Sequence, residues 1–174
     1  MSPEQSGVKM KMGSMLAAEL SHEAISARKM LERIPFETFA WKPHDKSTEI
    51  GHLSHHIARL TSFVKPILTT EEFDLASPGN QPPVLNSAEE LVAAFDTGLA
   101  EAIELLNSVS DEDLTDTWRL RAGEKTIFEM PRAGVIRTLV LSHLIHHRGQ
   151  LSVYLRLKNI PVPSIYGPSA DEQI

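Results

Sequence analysis

His143-Leu144-Ile145-His146-His147-Arg148-Gly149-Gln150-Leu151 is the stretch on which the reading of this chain turns. Around it Ile136, Leu139, Val140, Leu151 and Tyr154 recur at helical steps, the mark of an α-helix with one apolar face. At about 100° per residue, His143 and His147 fall near the middle of that face and His146 falls well off it. Two imidazoles one turn apart project from the same side of a helix, a spacing that suits two ligands on one metal ion.

The arrangement occurs twice. His52-Leu53-Ser54-His55-His56 repeats the His-x-x-His-His order inside a second stripe made of Ile50, Leu53, Ile57, Leu60, Val64 and Ile67. There the helical phase puts His56 at the flank of the apolar stripe and His52 further toward the polar side. His55 lies nearly opposite the stripe and is expected to meet solvent. These two blocks hold six of the chain's eight histidines, while His22 and His44 read as ordinary surface residues. A lone histidine on an apolar face ordinarily finds a hydrogen-bond partner and needs no metal. Two in register, with a third phased inward on another helix, favour a site in which His56, His143 and His147 converge on one ion. His52, one turn before His56, is an additional candidate.

Working outward, four helices are expected. The first covers residues 12–34 and is stopped by Pro35; Leu16, Leu20, Ala24, Ala27, Leu31 and Ile34 form its stripe. The second covers 47–68, with Ser47 as N-cap. A connection rich in Pro, Gly and Asn, 77–86, separates it from the third helix. That helix starts at Ser87 with Glu90 three residues on, a capping-box signature, and runs to residue 109. The fourth covers 131–159, with Pro131 in its first turn. Between the third and fourth, residues 117–130 carry Trp118, Leu120, Ile127 and Phe128 around Ala122-Gly123-Glu124, a pattern that fits a small β-hairpin. The fold class expected is therefore all-α, a four-helix bundle with a small hairpin between helices 3 and 4. One domain is expected over 1–174, with a flexible N-terminus over 1–11 and an irregular tail over 160–174 that contains three prolines and a glycine.

Composition narrows the function. With 174 residues, 41% hydrophobic and 23% charged, the chain is long enough to bury a core and is ordinary for a soluble domain. A net charge of −6 and no Lys/Arg cluster argue against nucleic-acid binding, which needs cationic stripes to meet phosphates. No run approaches the roughly 20 apolar residues of a membrane span, and no signal-peptide core follows the polar start. There is no cysteine, so a transition-metal site must use imidazole, carboxylate or water; a cytoplasmic setting is expected. No HExxH motif, Ser-His-Asp order or phosphate-cradling glycine loop is present.

Residues 143–151, the His56-Ile57 pair some way after Trp41, and the closing Pro161-Val162-Pro163-Ser164-Ile165-Tyr166-Gly167 segment together resemble the DinB/YfiT-like superfamily. The resemblance implies an up-up-down-down bundle, often a homodimer, that holds a divalent metal through His56, His143 and His147; imidazole ligands suit zinc or nickel. It also implies a small-molecule substrate: relatives resemble transferases and isomerases that use a low-molecular-weight thiol, or metal-dependent hydrolases. A non-catalytic metal-binding protein and a helical interaction module are the competing readings. Gln150 is inward-facing and is either a partner that orients a ligand imidazole or a plain interhelical hydrogen-bonding residue. Arg148 is expected to point away from the stripe into a salt bridge or dimer contact, Tyr154 to be a core aromatic, and Glu49 a solvated carboxylate. Phe36, Phe39, Trp41 and Phe73 lie in connections, where cover from a second subunit would be favourable.

Overall fold

Leu16, Ala17, Leu20, Ala24, Ala27, Met30 and Leu31 make the buried face of α1 (Met12–Leu31), as the stripe requires. The structure, a computed structural model, describes residues 10–78 and 83–173; the expected flexible segment 1–11 lies outside the described residues except for its last two. Helix α1 ends short of Ile34, because Arg33 and Ile34 already bond three residues back, to the carbonyls of Met30 and Leu31, in a tightened last turn. After a 3₁₀ turn at Phe36–Thr38, α2 (Ile50–Leu60) begins with Glu49, not Ser47, at the N-cap position and with no side-chain cap. The start is held instead by the Ile50 and Gly51 N–H groups, which donate to the carbonyls of Trp41 and Phe39.

The expected second helix is divided. A 3₁₀ turn at Thr61–Phe63 leads into α3 (Val64–Thr69). Pro66 sits in the first turn of α3, where its missing N–H is tolerated. Strand β1 (Glu72–Asp74) follows. Helix α4 (Ala88–Ser108) starts as expected, with the Glu90 N–H donating to Ser87 Oγ at 3.1 Å. The Glu90 carboxylate reaches back to the Asn86 N–H, which completes the cap. A short α5 (Asp111–Thr115) precedes the hairpin of β2 (Thr117–Ala122) and β3 (Lys125–Pro131); Gly123 takes a positive φ of 59° in its turn. The last helical segment comprises α6 (Arg132–Val135), a π-helical stretch Ile136–Ser142, and α7 (His143–Leu157).

The described residues are mostly helical, and the strand content exceeds the expected hairpin. β1 pairs parallel with β2, Phe73 opposite Leu120, to give a three-stranded sheet in the order β1-β2-β3. Three residues are too few to show an alternating pattern in sequence, which is why β1 went unseen. Cross-strand ion pairs of Arg119 and Arg121 with Glu72, and of Arg121 with Asp74, fasten it. Trp118 and Leu120 drive the sheet against the helices, and the Phe73 ring packs tilted against Phe63 with centroids 5.1 Å apart.

Helix directions correct the up-up-down-down order. α1 runs against α4, since Gly13 meets Leu106 and Arg28 pairs with Asp96. α1 runs with α7, since Glu19 pairs with Arg137 ahead of α7 and Arg148 reaches Glu23 and Ser26. α2 runs against α7, with Trp41 on Tyr154, His56 beside His143, and Arg132 donating to the Ile67 carbonyl. α2 runs with α4: Gly98 lies against Thr61 and Ser62, and Glu101 pairs with Lys65. A Cβ at Gly98 would meet both hydroxyls, so any larger side chain would force Thr61 and Ser62 to shift. The order is thus up-down-down-up. Apolar periodicity reads the same in either chain direction, so sequence could not reveal it.

The tail is irregular, as expected, yet well anchored: Arg33 pairs with Glu172, Arg156 with Asp171, and the Tyr166 hydroxyl donates to Glu23. Among the described residues no helix is long and apolar enough to cross a membrane.

Candidate metal centre

The π-helical stretch sets where the histidines point. A π turn closes hydrogen bonds five residues apart and winds more slowly than an α-helix. Across 136–142 this delays the buried stripe by about one residue. Ile136 and Val140 therefore line up with buried Leu144, Arg148, Leu151 and Leu155. His143 and His147 sit on the flank of the stripe, half-buried, and not at its middle as uniform 3.6-residue winding suggested. That flank faces α2, and His56 comes to meet it.

His56, His143 and His147 are brought together, with one ligand nitrogen from each lying within 4.8 Å of the others. The Nε2 atoms of His56 and His143 are 3.2 Å apart. The ring centroids stand 4.8 Å (His56–His143), 4.7 Å (His56–His147) and 4.5 Å (His143–His147) apart. His147 Nδ1 bonds Gln150 Oε1 at 2.7 Å, which leaves its Nε2 lone pair for a ligand role. The His143 ring is likewise tied to the Leu139 carbonyl one turn back.

Electrostatics keep the cluster neutral. Burial, then the neighbouring His143, His147 and His52 rings, lower the His56 pKa to about 4. His143 is lowered by burial and His147, with the Leu139 hydrogen bond opposing. His147 is lowered by burial, with Gln150 opposing. Unprotonated imidazoles are the form that ligates metal.

The remaining candidates divide. His52 is exposed and stands one turn from His56, while His146 is exposed as expected. His55 is a correction: it is half-buried, its Nε2 bonded to the Leu85 carbonyl and its ring edge-on to Phe39, because the segment before α4 folds over that side of α2. Arg148 is also corrected in place. It is buried in the stripe, though the expected salt bridge is present, to Glu23, with further bonds to Ser26 and Tyr166. Tyr154 packs edge-on against Trp41, and Glu49 is exposed. Phe39, Trp41 and Phe73 pack against the core of their own chain, and Phe36 is exposed.

Two clefts meet at the cluster. One, of about 640 Å³, is lined by His52, His56 and His143 with Arg59 and the apolar Leu60, Phe63, Leu75, Leu120 and Leu139. The other, of about 450 Å³, is polar, with Lys46, Ser47, Thr48, Gln150 and Tyr154 beside His52, His56 and His147. Sequence reasoning missed Arg59 and the apolar wall. Arg59 carried a signal, since it follows His56 by three residues on the same helix face. Leu75 and Leu120 carried none, because β1 and β2 bring them there.

Residues 12–151 match the DinB superfamily. This chain belongs to the DinB superfamily. As a DinB protein it is similar to the uncharacterised protein YrdA of Bacillus subtilis (strain 168), 23% identical over 86% of this chain and 85% of that one. Its fold resembles the crystal structure of a DinB-like protein from Bacillus cereus ATCC 10987, with a TM-score of 0.65 and 24% identity over 87% of this chain and 95% of that one. It also resembles the DinB-like protein YjoA of Bacillus subtilis, with a TM-score of 0.64 and 20% identity over 84% and 96%. The histidine triad of this DinB chain could hold a metal ion.

Proposed function

We propose that this chain is a divalent-metal enzyme of the thiol-dependent transferase or hydrolase type, with His56, His143 and His147 as the metal ligands on a four-helix-bundle scaffold. The observation that carries the reading is the 3.2 Å separation of the His56 and His143 Nε2 atoms. Two nitrogens each about 2.0–2.1 Å from a tetrahedral ion lie about 3.3 Å apart. The pair thus already has ligand spacing, and His147 is within a small shift of it. Zinc or nickel suits such a donor set.

When bound, the ion supplies Lewis acidity, lowering the pKa of a water or thiol or polarising a carbonyl. The chain's own residues set the conditions. Three neutral imidazoles add no charge of their own, and a three-ligand set leaves a position open to the clefts. Gln150 and the Leu139 carbonyl orient His147 and His143. His52 stands at the mouth of both clefts as an additional ligand or a proton acceptor. The reading extends to a small-molecule substrate, including a low-molecular-weight thiol, and to a cytoplasmic homodimer.

The test is metal analysis of protein purified without an affinity tag, followed by thiol titration of a cobalt-substituted form. Bound divalent metal and a thiol-dependent change in the visible spectrum support the enzyme reading. Metal with an unchanged spectrum favours a non-catalytic metal-binding protein, and absence of metal overturns both.

A further inference from the structure

Arg59 occupies an unusual place. It is half-buried on α2, three residues past His56, in the wall of the larger cleft. Among the described residues every other arginine sits against a carboxylate, except Arg132, which donates to the carbonyls of Ile67 and Thr70. Among the described residues Arg59 has one hydrogen bond, from Nη2 to the Pro83 carbonyl, and no acidic partner. A guanidinium has five N–H donors, so most of its fork is uncommitted. Burial lowers its pKa and no carboxylate raises it, whereas Arg28, Arg119, Arg121 and Arg156 are all raised by acidic neighbours.

A cation in an apolar wall is costly unless it meets an anion. Beside it the cleft is lined by Leu60, Phe63, Leu75, Leu120 and Leu139 and by the histidines, and among the described residues none of the lining side chains is acidic. The structure therefore assigns Arg59 as a specificity-determining residue: we propose that the cleft takes an organic acid with one carboxylate on Arg59 and an apolar body against the leucines and Phe63. The charge count selects a monoanion. Among the described residues Arg59 is the one guanidinium or ammonium lining the cleft, and a phosphate dianion would call for more than one. The planar fork matches a carboxylate with two parallel hydrogen bonds. His56 and Arg59 lie on one helix face about 5–6 Å apart at Cβ, so the bound acid lies beside the triad. In placing a reacting group near His56 and His143, the inference rests on the metal reading above; the recognition of the acid does not.

The experiment is calorimetric titration with octanoate and its neutral counterpart octanamide, on protein as purified and after chelator treatment, with metal content measured on every sample. Wild-type protein in both states is expected to bind octanoate at least about tenfold more tightly than octanamide. Arg59→Met, which keeps an apolar stem, brings the ratio near one while octanamide binding is retained. If that variant fails to fold, Arg59→Lys answers the same question through loss of the fork, and the ratio falls severalfold. A ratio near one in wild type, a preference that vanishes with the metal, or an unchanged ratio in the folded variant overturns the proposal. Samples that never hold metal yet keep the preference overturn the metal reading and leave this one standing.

Discussion

His56 and His143 meet through their Nε2 atoms at 3.2 Å, from two helices that run in opposite directions. Neutral imidazoles at that distance oppose lone pairs unless a proton or an ion lies between them. A ring N–H of one can donate to the other, and the same spacing could hold a cation, whose ligands can then be ranked by geometry.

Metal content should be about one divalent ion per chain, the number one three-histidine set can hold. His143→Ala and His147→Ala are expected to abolish binding and His56→Ala to weaken it severely. His55→Ala and His146→Ala should leave it nearly unchanged, since one ring is engaged by Leu85 and the other is exposed. Elemental analysis of the five variants checks the ranking; equal metal in all of them would refute it.

Gln150→Ala removes the partner of His147 Nδ1. Loss of such an orienting contact costs about 10–100-fold in metal affinity. Competition with a chromophoric chelator measures it, and a change under twofold would make Gln150 a bystander.

The pH dependence has a definite sign. His56 titrates at about 4 in the folded chain, held down mainly by burial, against about 6.5 when unfolded. Between those values the unfolded state binds more protons, so stability is lost as pH falls. Metal-free protein should keep full stability above about pH 6.5 and lose it progressively toward pH 4. The lowered His143 and His147 act in the same direction. Metal affinity should fall through the same window, because protons compete for the ligands. Denaturation midpoints from pH 8 to 4 give the first slope and chelator competition the second; a flat profile would point away from the buried imidazoles.

Arg148 and Glu23 form a buried pair, their side chains 2% and 9% exposed. Glu23→Ala leaves the guanidinium buried with only Ser26, Tyr166 and a backbone carbonyl. A loss of about 3–5 kcal/mol is expected, readable from urea unfolding. Tyr166→Phe should cost about 1 kcal/mol by removing hydrogen bonds to both partners.

The proposed homodimer has a simpler test. With Phe39, Trp41 and Phe73 covered within the chain, the exposed apolar side chains left for a contact include Phe36, Ile25, Val153 and Leu157. Light scattering at micromolar concentration should give twice the 19.3 kDa chain mass. A monomer mass unchanged on tenfold concentration would exclude the dimer.

The helices and the triad were legible because each writes a period into the sequence. Leu16 to Leu31 and Ile50 to Ile67 repeat at helical steps, and Ser87 with Glu90 marks a start by its own chemistry. His56, His143 and His147 were separable from His55 and His146 by phase alone. What stayed hidden depends on tertiary structure. Strand β1 forms by pairing with β2, remote in sequence, where Phe73 lies opposite Leu120 and Glu72 and Asp74 meet Arg119 and Arg121. His55 is half-buried because Leu85 folds over it. Arg148 looked like a surface charge because its partners, Glu23 and Tyr166, are remote in sequence.

The π stretch at 136–142 acts as an angular spacer. Rewinding the same seven residues as an α-helix, with none removed, would rotate everything beyond them by roughly a quarter-turn. His143 and His147 would then swing inward as Leu144 and Arg148 swung out. One surplus residue thus gives the last helix two independent sides, one dry against α1 and one facing the clefts. Leu151 or Leu155 can then be exchanged for another core side chain without re-aiming the imidazoles.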